Sequence, residues 1–246
     1  MLVRPDYTLA SQTLEAIWQC ILHHRQAVKN DWPTFEQQPV ASIEPILREL
    51  NPKLKRCAVE CGVWLSGCSG ITAPDTGDIW LHPGLFWDVL SSINENSRDK
   101  LKTSWLLLRD TLCHELIHQN QRDREAENFA AYHKRQRTRN LGKSFHYCQA
   151  TNRYEIQAHP YTDATRIRRC LRRSGGTASL AREKAMVMEE NAHCLPCLFK
   201  KELLDAEDVP DAQRILGEYK STAWAYLQDL HNQPEPEIPV PDIHGL

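Results

Sequence analysis

The 246-residue chain carries 30 Lys and Arg against 32 Asp and Glu, a formal net charge of −2, and 41% of its residues are hydrophobic. A chain of this length closes a core without covalent staples, so it reads as one large domain or a domain with a helical extension. Near-neutral charge excludes a molecule that binds nucleic acid by its overall electrostatics. Nine scattered cysteines, an odd number, fit the reduced thiols of a cytoplasmic protein rather than a disulfide framework. The opening residues lack the apolar core of a signal peptide, and no run of 18 apolar residues exists, so neither export nor a membrane partner is expected.

In chain order, Leu14, Ile17, Trp18, Ile21 and Leu22 recur at helical spacing and predict a helix over 11–29, capped by Ser11 and ended by Asn30 to Pro33. His23 and His24 near its end read as surface cations at a helix C-terminus. Residues 41–50 suggest a short second helix. Over 55–66, apolar and other residues alternate with period two, which predicts a strand. Cys57 and Cys61 on that strand, with Cys68 beyond it, lack the knuckle spacing of a zinc ribbon and read as core thiols. Residues 67–77 are rich in Gly, Ser, Thr, Pro and Asp and read as a loop. A short strand over 78–82 and a helix over 85–93 follow. The next helix, 101–121, is apolar almost all round and is expected to be central.

That central helix contains His114, Glu115 and His118, an H-E-x-x-H. Residues four apart share a helix face, so the two imidazoles can grip one metal ion. Glu115 is rotated by about 100° from His114 and can stand beside the metal as a base without ligating it. Two fixed ligands and an adjacent carboxylate are what a zinc hydrolase needs.

Downstream, helices are expected over 122–139, over 152–171 with Pro160 as a break or kink, and over 178–193, 195–206 and 211–231. Residues 233–246 carry four prolines and several acids and read as an extended tail. A catalytic zinc wants a third protein ligand. The metzincin arrangement fails, because Gln121 holds its glycine position and Arg124 its third-ligand position. The best candidate is Glu155 in Tyr154-Glu155-Ile156-Gln157-Ala158-His159, where Ala158 is small enough for close helix packing. His159 shares the face of Glu155 and stands as a rival ligand, an orienting group or a transition-state donor, with His146 and His133 behind it.

HELIH followed by YEIQAH resembles a gluzincin, a zincin metallopeptidase whose third ligand is a Glu on a separate helix; phage and bacterial proteins of this sort show HELxHxxQ and then a short E-I-x-A element. The resemblance covers roughly residues 55–165. It implies a mostly helical α+β fold with a small sheet, Zn2+ held by His114, His118 and Glu155, and hydrolysis of a peptide or protein substrate by a metal-activated water with Glu115 as general base and His159 assisting catalysis. The domains expected on this reading are an N-terminal helix (1–40), a zincin-like domain (41–175), a C-terminal helical extension (176–232) and the tail (233–246). In zincins an edge strand before the helix binds substrate in extended form, and Ile79 to Leu81 would hold that place. Tyr132, Tyr147, Tyr154 and Tyr161 are open candidates for assisting the oxyanion.

Residues 121–173 hold 13 Lys and Arg against 5 Asp and Glu. The basic clusters at 134–139 and 166–173 offer phosphate contacts or a solvated helical face. Two alternatives therefore accompany the peptidase reading: a DNA-associated protease analogous to the SprT type, or another nucleic-acid-binding protein with a zinc site; and a non-catalytic metal-binding scaffold. Cys194 and Cys197 form a C-x-x-C without a partner pair and read as ordinary thiols, with a second metal or a redox pair as the alternatives.

Overall fold

A computed structural model describes residues 2–29, 45–46, 48–50, 54, 57–59, 69–139, 153–173, 179–188 and 212–242. Cys61 and Cys68, His146, Tyr147 and Cys148, the Cys194/Cys197 pair, the helix expected over 195–206 and His244 lie outside the described residues. Among the described residues the protein is a mostly helical α+β chain with one small sheet. No helix among the described residues is long and apolar enough to cross a membrane. The chain packs as two units, Pro5–Asp123 with Glu237–Leu246, and Met1–Arg4 with Arg124–Pro236.

In the first unit, α1 (Tyr7–Lys29) buries Leu14, Ile17, Trp18 and Ile21 on the stripe set by their spacing. It begins before Ser11 because Asp6 is its cap: the Asp6 carboxylate accepts the backbone N–H of Leu9 at 2.9 Å. The described residues between 45 and 50 are helical, as expected. Three short strands, β1 (Cys57–Val59), β2 (Gly70–Thr72) and β3 (Ile79–Leu81), pair in the order β1-β3-β2. β1 runs parallel to β3 and β2 antiparallel to it, with Thr72 opposite Ile79 and Gly70 opposite Leu81.

Two expectations change here. Residues 70–72 are strand rather than loop, because pairing with β3 outweighs their loop-like composition. β3, the expected substrate-binding edge, is the central strand with a neighbour on each side, so its backbone groups are committed to the ladder.

Helix α2 (Gly84–Asn94) inserts Leu85, Phe86, Val89, Leu90 and Ile93 into this core. Asn96, in the left-handed region at φ 51°, turns the chain into α3 (Arg98–Arg124). Trp105 of α3 meets Trp18 of α1 edge to face at 5.8 Å. Its indole N–H donates to the carbonyl of Pro239 at 3.2 Å, so the tail is fastened to the helix that carries the H-E-x-x-H, and Ile238 is buried.

The second unit contains α4 (Ala126–Arg139), α5 (Glu155–Arg173), α6 (Leu180–Met188) and α7 (Ala212–Asn232), with α7 packed on both α5 and α6. Its core joins Tyr161, Ala164 and Ile167 of α5 to Tyr219, Ala223 and Tyr226 of α7. Pro160 lies inside α5 without ending it. It sits near the helix start, where it removes one backbone bond, and its ring is buried. The Tyr226 hydroxyl donates to the carbonyl of Val3 at 2.8 Å and accepts its N–H at 3.2 Å. Arg4 reaches the Asp229 carboxylate at 2.6 Å and the Gln233 carbonyl at 2.8 Å, which completes the attachment of the first residues to α7.

Candidate metal centre

Two adjacent faces of α3 carry the H-E-x-x-H side chains and the groups that hold them. The face carrying Thr111, Glu115, Gln119 and Arg122 lies on the β2–β3 hairpin. The Gln119 amide donates to the Gly77 carbonyl at 2.7 Å and Arg122 to the Asp75 carbonyl at 2.5 Å. Gly77, at φ 78°, makes the tight turn that presents this carbonyl. Glu115, only 5% exposed, is held by Thr72, whose hydroxyl donates to Glu115 Oε2 at 2.8 Å and to the Glu115 carbonyl at 3.0 Å. Gly70 is the neighbour on the same strand. A Cβ there would stand 2.9 Å from Glu115 Cγ, 3.0 Å from Thr111 Cγ2 and 3.1 Å from Glu115 Oε1. The strand can therefore approach the glutamate this closely only with glycine at 70.

The next face carries His114, His118 and Gln121. Gln121 Oε1 lies 2.7 Å from His118 Nδ1, so that nitrogen carries the proton and Nε2 is left with its lone pair. The Nε2 atoms of His114 and His118 are 3.1 Å apart, with the rings at 81° to each other. A tetrahedral zinc with bonds of about 2.0–2.1 Å spaces two ligand nitrogens about 3.3 Å apart, so this pair fits one ion with almost no movement. An oxygen acceptor on the remote nitrogen is the usual partner of a metal-binding histidine.

Glu155 and His159 belong to the other unit. Glu155 opens α5, and His159 follows one turn on, with Nε2 3.5 Å from Glu155 Oε2. Both are mostly buried, with side chains 15% and 20% exposed. A carboxylate oxygen and an imidazole nitrogen thus share one helix face, as their spacing predicts, and Ala158 between them is fully buried. The structure brings His114, Glu115 and His118 together on α3, and Glu155 and His159 together on α5.

The rival groups fall elsewhere in the second unit. His133 is packed among aromatic rings, stacked on Tyr154 at 5.9 Å and beside Phe129 at 4.4 Å. Tyr132 and Tyr154 both hold Arg153: the Tyr132 hydroxyl accepts its backbone N–H at 3.1 Å, and the guanidinium donates to the Tyr154 hydroxyl while lying over that ring at 4.6 Å. The Tyr161 hydroxyl donates to Glu235 at 3.1 Å. In the second basic cluster Arg168 is paired with the buried Glu183 at 3.2 Å, while Arg172 and Arg173 are exposed. Burial pushes the Glu183 carboxyl up despite Arg168.

Three contributors were not singled out from the sequence for their roles. Gln121 stands three residues after His118, so its hold on the ring is a helix-spacing signal that could have been read. Thr72 and Gly70 are more than forty residues from Glu115 and left no local signal. No protein-family model matches this chain, and neither a curated protein nor a solved structure is significantly similar to it.

Proposed function

We propose that the protein is a zinc-dependent endopeptidase of the zincin type, with His114, His118 and Glu155 as metal ligands and Glu115 as the general base. The observation that carries this reading is the convergence of the His114 and His118 Nε2 atoms at 3.1 Å, with His118 anchored from behind by Gln121. When bound, zinc acidifies a water molecule and polarises the scissile carbonyl. Thr72 fixes Glu115 through Oε2, and the carboxylate so oriented takes the proton of the attacking water and returns it to the leaving amine. His159 serves as a donor to the developing oxyanion or as an alternative ligand to Glu155.

The test combines metal analysis with peptide hydrolysis. Glu115→Gln is expected to retain the wild-type zinc content and to lose hydrolysis by about 10²–10⁴-fold. Glu155→Ala is expected to empty the site, whereas His159→Ala retains zinc and lowers turnover. Hydrolysis that survives Glu115→Gln, or a zinc content left at the wild-type level in both His114→Ala and His118→Ala, would overturn the proposal.

A further inference from the structure

A second group of metal-ligating side chains lies in the first unit, on elements that the peptidase reading does not use. Cys20 and His24 are four residues apart on α1 and so share a face. Glu49 comes from the helical residues 48–50, and its Oε2 is 2.7 Å from His24 Nε2 and 2.7 Å from His23 Nδ1. Two imidazoles thus converge on one carboxylate oxygen, with ring centroids 4.8 Å apart. Cys20, 1% exposed, forms the floor: its thiol donates to the Ile46 carbonyl at 3.3 Å, one turn before Glu49. One ligand atom each from Cys20, His24 and Glu49 lie within 4.8 Å of one another.

We propose that Cys20, His24 and Glu49, with His23 as fourth ligand, form a structural zinc site distinct from the H-E-x-x-H centre. The mixed sulfur, nitrogen and oxygen set suits zinc, whereas magnesium and calcium take all-oxygen shells. In tetrahedral zinc a thiolate and an imidazole nitrogen stand about 3.6 Å apart, so the ligand atoms of Cys20, His24 and Glu49, already within 4.8 Å of one another, need side-chain shifts of about 1 Å to close on one ion. The Cys20 proton leaves to solvent as the thiolate binds, and the His24–Glu49 contact is replaced by two bonds to the ion. Three of the four ligands are more than three-quarters buried, and all four coordination positions are filled by protein, so the ion would brace α1 against the 45–50 segment, with no position left for a substrate. His23, with a side chain 70% exposed, is the lid of the site.

Cobalt(II) titration of the full-length protein tests this. The expected result is two equivalents bound, one of which gives a near-ultraviolet thiolate-to-cobalt charge-transfer band. Cys20→Ser and Glu49→Gln should each remove that band and one equivalent, while keeping wild-type circular dichroism. His118→Ala should remove the other equivalent and keep the band, which separates this proposal from the peptidase reading. Cys194→Ser with Cys197→Ser should change neither. A band and stoichiometry untouched by Cys20→Ser, or a band lost in the Cys194/Cys197 double variant, would overturn the assignment.

Discussion

His82 shows how a single side chain sets a pH response. The backbone N–H of Gly84 donates to its Nδ1 at 3.0 Å, so the ring caps the start of α2 as a neutral acceptor. Burial depresses its pKa below the usual 6.5, and nearby Asp88 only partly offsets this. Above about pH 6.5 the ring is neutral in folded and unfolded chains and pH does nothing; below it the unfolded chain takes up the proton first, so stability falls on acidification. Melting temperature measured between about pH 7 and pH 5 should therefore drop more steeply in the wild type than in His82→Asn, whose amide oxygen keeps the cap without titrating. Gly70 gives a steric counterpart. In Gly70→Ala the new methyl must displace Glu115 or Thr111, and denaturant unfolding should report a loss of about 1–3 kcal/mol. Thr72→Val should cost a similar amount by removing the hydroxyl that donates to the buried Glu115 carboxylate, and Thr72→Ser should restore it.

At the scale of elements, a helix announces its own geometry. The spacing of His114, Glu115 and His118 was enough to put two imidazoles on one face and the carboxylate on the next, because 3.6 residues per turn leaves no other arrangement. The same holds for Glu155 and His159, and for the buried stripes of α1 and α7. The sheet was less legible. Three-residue strands have too few positions to display alternation, and Gly70-Ile71-Thr72 reads as loop until β3 is beside it. For the same reason nothing local could tell that β3 is flanked on both sides. Caps were legible in type but not in position: Asp6, not Ser11, starts α1, since each could accept a backbone N–H and only packing of the first turn decides between them. Helix α7 carries a further prediction. Burial pushes the Tyr226 hydroxyl up to about 12, and it satisfies both backbone groups of Val3. Tyr226→Phe keeps the ring and strands those two groups, and should cost about 1–3 kcal/mol by denaturant unfolding.

For the molecule as a whole, sequence order and packing order differ. The first four residues pack with 124–236, and residues from 237 onward pack with 5–123. No periodicity encodes such an exchange of ends, and residues 233–246, read as an extended tail, include the Pro239 carbonyl that accepts from α3 and the buried Ile238. Truncation after Pro236 should thus lower the stability of the H-E-x-x-H unit by about 2–3 kcal/mol, seen as faster proteolysis within 84–124. An intact α3 would then resist cleavage only when the tail is present.

The bond between Trp105 and Pro239 spans 134 positions. During translation α3 leaves the ribosome long before the carbonyl that its indole awaits. A nascent chain therefore holds the H-E-x-x-H helix without this bond until the residues between 105 and 239 have been made. The final setting of that helix is therefore reached late relative to its own synthesis.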